Sequence, residues 1–320
     1  MHLVLPLPGN EVFAGRLAEA GGWELGQLDM RRFPDGESYV RLRNEVADRD
    51  VNLVCTLSRP DEVFLRLLFT ADAARSLGAR SVTLVAPYLA YMRQDRRFAA
   101  GEAVTSRTFA RLISSSVDRV VTVDPHLHRY GALSAIYTVA TATLHAAPLL
   151  ADWIASNVPA PLLLGPDEES EQWVAAIASR IGAPHAVLRK VRRGDRSVEV
   201  EVPDLRSWKG RQPVLVDDIA SSGETLIDAA RKLPLQELPR PVCAVVHPVF
   251  ADEAYSRLAQ VAATIVSTDT ISHASNAISV ASLIAAALSP ESDARDERIR
   301  KRGLPEPVDR SDSVLSGAST

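Results

Sequence analysis

Val214-Leu215-Val216-Asp217-Asp218-Ile219-Ala220-Ser221-Ser222-Gly223-Glu224-Thr225-Leu226 is the stretch from which the fold can be read. A short apolar, β-branched run reads as a buried strand, the small residues after it as a turn, and Leu226-Ile227-Asp228-Ala229-Ala230 as the start of a helix. A strand-to-helix junction of this kind presents the unpaired N–H groups of a helix start, which suit an anion. Ser221, Ser222 and Thr225 add hydroxyl donors. The two adjacent carboxylates repel a phosphate but suit the hydroxyls of a sugar that carries one, or a magnesium shell around it. The plainer reading is a capped helix after a core strand, for which one acidic or hydroxyl residue is enough. Two carboxylates with three hydroxyls favour a pentose-phosphate site.

On either side of this stretch, β-rich runs alternate with helical patterns. Strands are predicted at 3–5, 51–56, 82–86 and 119–123, with helices near 11–20, 61–77 and 104–116. A second series has strands at 162–164, 186–191, 198–202, 214–216, 242–246 and 264–267, with helices near 168–181, 224–233, 250–259 and 279–288. Such alternation implies mostly parallel sheets flanked by helices. Two series imply two similar α/β domains, expected at 1–144 and 145–290. The tail, 291–320, mixes charges with Ser, Pro and Gly and is expected to be disordered.

Apolar residues make up 46% of the 320, enough for a substantial core, and the net charge of -4 gives no electrostatic reason to expect nucleic acid as a partner. Cys55 and Cys243 sit in apolar runs without Cys-x-x-Cys spacing and read as reduced core residues rather than zinc ligands. Residues 130–151 and 271–290 contain no Asp, Glu, Lys or Arg, yet their His, Pro and hydroxyl content argues against a membrane span and for buried domain or subunit contacts. The opening Met1–Pro6 lacks the basic start of a signal peptide, so a cytoplasmic enzyme without a membrane partner is expected.

Further motifs sit at the carboxyl ends of these strands, where open parallel sheets bind ligands. Arg31-Arg32-Phe33-Pro34-Asp35-Gly36-Glu37 contains a strong turn signal and reads as a hairpin; its Phe also suits stacking on a purine. Arg93-Gln94-Asp95-Arg96-Arg97 offers guanidinium forks for phosphate, or a solvated surface. Asp124-Pro125-His126-Leu127-His128 brings a potential metal ligand in His126, or a pair that merely lines one face. Asp167-Glu168-Glu169-Ser170 follows a strand and opens a helix; its acids favour a helix start, and Asp167 suits hydrated magnesium. Arg189-Lys190-Val191-Arg192-Arg193-Gly194-Asp195-Arg196 reads as a hairpin tip with five cations and one anion. It is either a solvated loop or a cationic arm that closes on a polyphosphate.

Taken in order, these motifs resemble those of the ribose-phosphate diphosphokinase family, also called phosphoribosyl pyrophosphate synthetases. The resemblance covers roughly residues 1–290 and includes Ser272-His273-Ala274-Ser275-Asn276-Ala277-Ile278. It implies two phosphoribosyltransferase-like domains and diphosphoryl transfer from ATP to ribose 5-phosphate, with Mg2+ as cofactor. It assigns Lys190 and Arg192 to catalysis, and Phe33, Asp35, Glu37, Arg93, Gln94 and Asp95 to ATP. Asp217, Asp218, Ser221, Ser222, Gly223, Glu224 and Thr225 would hold ribose 5-phosphate, and His126 and Asp167 the metal. An adenine turn reaching into a neighbouring subunit implies a homo-oligomer, a dimer or a hexamer-of-dimers type of assembly.

Several residues depart from the family pattern. Glu169 and Ser170 stand where glycines are usual, Ser221 and Ser222 replace Asp-Thr, Asp124-Pro125 replaces Asp-Leu, and Glu224 replaces a glycine. A carboxylate beside a phosphate site is expected to weaken binding unless its side chain turns away. Two other readings are a phosphoribosyltransferase and a non-catalytic regulatory relative. The first needs only one domain, and the second is expected to lose the loop cations that Lys190 and Arg192 retain.

Overall fold

The computed structural model describes residues 1–127, 129–193 and 197–289. The expected disorder of 291–320 concerns residues outside those described.

The first half runs β1 (His2–Pro6), α1 (Glu11–Gly21), β2 (Glu24–Leu25), β3 (Leu28–Arg32), β4 (Ser38–Leu42), β5 (Asp50–Val54), α2 (Pro60–Ser76), β6 (Ser81–Ala86), α3 (Thr105–Ser114), β7 (Arg119–Val123) and β8 (Ala140–Leu144). After α4 (Ala147–Asn157), the second half runs β9 (Pro161–Gly165), α5 (Glu171–Ile181), β10 (His185–Val187), β11 (Arg189–Arg193), β12 (Ser197–Glu201), β13 (Gln212–Ala220), α6 (Glu224–Lys232), β14 (Val242–Pro248), α7 (Ala254–Ala259), β15 (Thr264–Thr268), β16 (Asn276–Ile278) and α8 (Ala281–Leu288).

Each half builds a six-stranded parallel sheet. The orders are β2-β1-β5-β6-β7-β8 and β10-β9-β13-β14-β15-β16, the same winding twice. Each half also inserts an antiparallel hairpin at the same point of its winding, β3–β4 in the first and β11–β12 in the second.

Alternation along the strands decides which face each residue buries. Leu3, Leu5, Leu53 and Leu84 pack with Phe109 and Ile113 of α3 on one face of the first sheet. Leu162, Leu164, Leu215, Cys243 and Val245 pack with Leu226 and Ala230 of α6 on one face of the second. The opposite faces share a single core: Val4, Val54, Val85 and Val121 join Leu163, Val214, Val216 and Val246, with α1, α4, α5 and α8 filling between. α8 packs chiefly against α1, β7 and β8, so the last described helix covers the first sheet. Burial pushes both cysteine thiols up to about 12, which makes them inert core residues.

Two expected features differ in detail. The predicted strand at 186–191 is broken at the buried Leu188 into β10, which joins the sheet, and β11, which leaves it. β8 and β16 lie in the stretches without charge, where small and hydroxyl residues give little strand signal. α4 and α8 account for much of the remaining apolar content there, buried between the two sheets.

Candidate active site

β13 contains the strand expected at Val214 to Val216, which are buried, and runs on through Asp217 and Asp218 to Ala220 before the turn. Gly223 takes φ +68°, a left-handed conformation open to glycine, and lets the chain turn into α6. The N–H groups of the first turn of α6 have no intrahelical partners. Ser221 to Leu226 line an open cleft of about 760 Å³ together with Asp217 and Asp218.

The opposite wall comes from the first half. Asp124 adopts φ +34°, a left-handed conformation that Asp tolerates better than most residues, held by hydrogen bonds on several sides. Its N–H donates to the Leu144 carbonyl, its Oδ2 accepts from the Ala146 N–H at 2.8 Å, and its Oδ1 lies 2.9 Å from His145 Nδ1. The turn so formed brings His126 Nδ1 to 3.0 Å from Asp218 Oδ2, a contact between the two halves. His247, fully buried on β14, bridges Thr270 Oγ1 at 2.9 Å and the Asp124 carbonyl at 3.2 Å, and burial holds its pKa below the ordinary imidazole value.

The paired aspartates titrate in opposite directions. Burial, then the charge of Asp218, then Asp167 farther off push Asp217 well above the usual carboxylate range. Burial also opposes ionisation of Asp218, but the hydrogen bond and charge of His126, together with Asp217 and His247, outweigh it and hold Asp218 low. Asp167 ends the β9 turn, where its Oδ1 accepts from the Ser170 N–H at 3.2 Å. Among the described residues no three His, Cys, Asp or Glu side chains converge to hold an ion by themselves. A carboxylate pushed up by burial and then by its acidic neighbours is nevertheless a site short of positive charge. Magnesium commonly takes one or two carboxylates and completes its shell with water and phosphate, so these residues fit it.

Glu224, the departure of most concern, lines the cleft with its carboxylate engaged by a cation. Arg257 of α7 grips it with both nitrogens, at 2.6 and 3.0 Å, and holds its pKa low. Sequence reasoning missed Arg257 because nothing in the spacing from 224 to 257 marks them as neighbours. Ser170 is accommodated too: its Oγ donates to the Asp167 carbonyl at 2.6 Å and lies against Gly165, where a Cβ would come within 2.4 Å. The side chain of Glu169 lies outside the described residues.

The other expected site residues divide. Arg93 lines the cleft. Gln94 accepts from Thr105 Oγ1 at 3.1 Å, and the buried Asp95 already holds Arg129 at 2.7 and 2.9 Å, so both shape the loop behind Arg93. Phe33, Asp35 and Glu37 occupy the tip of the β3–β4 hairpin, as expected, and do not line the cleft. Phe33 is not without a partner: the Arg31 guanidinium lies 4.5 Å from the ring centroids of both Phe33 and Tyr39. Asp35 Oδ1 accepts from the Glu37 N–H at 3.1 Å. Lys190 and Arg192 lie on β11 of the second hairpin; their side chains fall outside the described residues.

Comparison with known proteins agrees with this architecture. Residues 3–116 match the N-terminal domain of ribose phosphate pyrophosphokinase, and residues 133–284 match the phosphoribosyl transferase domain. The ribose-phosphate pyrophosphokinase of Methanopyrus kandleri is 37% identical over 85% of this chain and 94% of its own length. That of Methanosarcina mazei is 36% identical over 88% of this chain and 93% of its own. The chain belongs to the ribose-phosphate pyrophosphokinase family. The phosphoribosylpyrophosphate synthetase structure from Mycobacterium smegmatis covers 93% of this chain and 99% of that one with a TM-score of 0.77; at 23% identity it speaks for the shared fold. Within the ribose-phosphate pyrophosphokinase family frame, the first match holds most of the first sheet and the second match holds the whole second sheet together with β8, the edge strand of the first.

Proposed function

We propose that this protein transfers the β,γ-diphosphoryl group of ATP to the C1 hydroxyl of ribose 5-phosphate, giving phosphoribosyl pyrophosphate and AMP. What carries the reading is the meeting in one cleft of the anion turn, the Asp217–Asp218 pair and a wall from the other half, in a chain of this family. Ser221, Ser222, Gly223 and Thr225 hold the 5-phosphate, helped by the first turn of α6. Asp217 and Asp218 accept from the ribose hydroxyls, which fixes the sugar so that C1 faces the polyphosphate. Glu224 contributes backbone only, because Arg257 keeps its carboxylate.

In the transfer, the C1 hydroxyl oxygen bonds to the β-phosphorus as that atom's bond to the oxygen of the departing AMP breaks, and the hydroxyl proton is released. Such transfers depend on alignment and charge neutralisation rather than a covalent intermediate. Arg93 supplies positive charge for the ATP phosphates, with Gln94 and Asp95 setting its loop. Lys190 and Arg192 meet the negative charge that moves in the transition state. Phe33, Asp35 and Glu37 hold adenine from a neighbouring subunit, which makes the active form a homo-oligomer. Asp167 and the His126–Asp218 pair would hold magnesium, which would supply charge neutralisation for the phosphates when bound. We read the two domains as 1–144 and 145–290, and the setting as the cytoplasm; no described helix is long and apolar enough to cross a membrane.

The test is to incubate the protein with ATP, magnesium and ribose 5-phosphate and to follow AMP and phosphoribosyl pyrophosphate together. Equal amounts of both, dependent on all three additions, are expected. ADP in place of AMP, or no product, would overturn the reading.

A further inference from the structure

β12 uses one edge to pair with β11 and turns the other towards α6. On that second edge, both polar backbone groups of a single residue are taken by side chains. The Val200 N–H donates to Asp228 Oδ2 at 2.8 Å, and the Val200 carbonyl accepts from Lys232 Nζ at 2.6 Å. Asp228 and Lys232 are one turn apart on α6 and also pair with each other at 3.1 Å. The Val200 side chain is buried against the same helix. In the hairpin register the residue directly opposite Val200 is Lys190.

We infer that Asp228 and Lys232 are positioning residues that set the register and placement of the strand bearing Lys190. The inference rests on the catalytic reading of Lys190 given above. Opposed residues of an antiparallel pair either exchange both hydrogen bonds or neither. Because Val200 gives both of its groups to α6, the pair Val200–Lys190 is of the second kind, and the alternation along both strands follows from it. A slip by one residue would turn every side chain of the strand over. Simple protection of an edge strand needs only a charge nearby. Here an acceptor and a donor, spaced by one helical turn, take the two groups of one peptide residue. The helix that makes this grip begins at Glu224, inside the anion turn. One rigid element therefore ties the place where the sugar phosphate binds to the strand whose cation acts on the polyphosphate.

The experiment uses the full chain and compares Asp228→Ala, Asp228→Asn and Lys190→Ala. Turnover, KM for ribose 5-phosphate and backbone amide exchange across 197–201 are measured for each. Asp228→Ala should lower kcat about tenfold, the size of one lost charge-assisted hydrogen bond. KM should stay within about twofold, because α6 keeps its place at the turn. Exchange across β12 should rise. Asp228→Asn keeps an acceptor oxygen and should restore about half of the lost turnover. Faster exchange with wild-type kcat in Asp228→Ala, while Lys190→Ala is inactive, would overturn the positioning role alone. So would a loss that appears only in KM, or an Asn variant no better than Ala. Full turnover in Lys190→Ala would instead remove the reading on which the inference rests. Should the alanine variant not fold, Lys232→Met, which keeps the aliphatic stem, is held to the same outcomes for kcat, KM and exchange.

Discussion

Asp217 and Asp218 are neighbours in sequence that the fold sets in opposite electrostatic states. Asp217 is pushed up by burial and by two other carboxylates, so its charge is a cost to the ligand-free protein at neutral pH. Its folded pKa is above its unfolded one, so the folded state binds the proton more tightly and gains stability from it as pH falls. Asp217→Asn should therefore raise the melting temperature of the ligand-free protein at about pH 8. The gain should shrink on acidification as the wild-type carboxyl becomes protonated, and activity should be lost throughout. Thermal melts of both proteins across pH check this; a lower melting temperature for the variant at pH 8 would refute it. Asp218 is the converse. His126 holds its pKa low, so the stability it contributes is present above its unfolded pKa and fades as pH falls through its folded one. Asp218→Asn should raise the ribose 5-phosphate requirement with the fold intact, since a hydroxyl acceptor becomes partly a donor. Titration calorimetry in which only ATP binding weakened would sink the sugar assignment. The sequence marked both residues as site carboxylates, because two acids followed by three hydroxyls exceed what a helix cap needs. It held no sign of their division, which depends on His126, 91 and 92 positions away.

At the scale of elements, α6 and α7 meet through the Glu224–Arg257 pair. An exposed ion pair adds little to stability. Its consequence lies in the Glu224 charge that it offsets. Arg257→Ala should free that charge beside the bound phosphate and raise KM for ribose 5-phosphate about three- to tenfold, the size of one solvent-screened repulsion. Adding Glu224→Gln should restore most of the affinity. If KM is unchanged in Arg257→Ala at low salt, the pair is unrelated to binding. The existence of α6 and β13 was legible from the run of Val and Leu and the helical spacing after Gly223. Their partner α7 was legible as a helix, but a side-chain pair between two helices has no local signature. The same holds for β8 and β16, whose strand character comes from the sheet edges they complete rather than from their own residues.

The whole molecule repeats one winding twice, and its two hairpins occupy equivalent places in the two halves. One bears Phe33, the other Lys190. The Phe33 turn does not line the cleft of its own chain, which is the arrangement expected if it serves a neighbour. Inactive Phe33→Ala and Lys190→Ala chains, mixed under conditions of subunit exchange, should then recover part of the wild-type activity, since some sites combine an intact turn with an intact hairpin. No recovery, with mixed oligomers confirmed by mass, would place turn and hairpin in one subunit's site. The duplication could be read from the two strand–helix series. The equivalence of the hairpins could not, because their sequences share only a taste for arginine, and it is the winding that aligns them.

The placement of α8 also has a consequence for biosynthesis. A ribosome completes the first sheet with β8 and must add the entire second half before Ala281–Leu288 exists to cover it. At ordinary elongation rates that interval is on the order of ten seconds, long compared with the collapse of either half. Throughout it Val85, Val121 and their neighbours on that face lack their final cover. The nascent chain thus leaves an apolar surface waiting, and the first half expressed alone should be poorly soluble unless residues 281–288 are supplied with it.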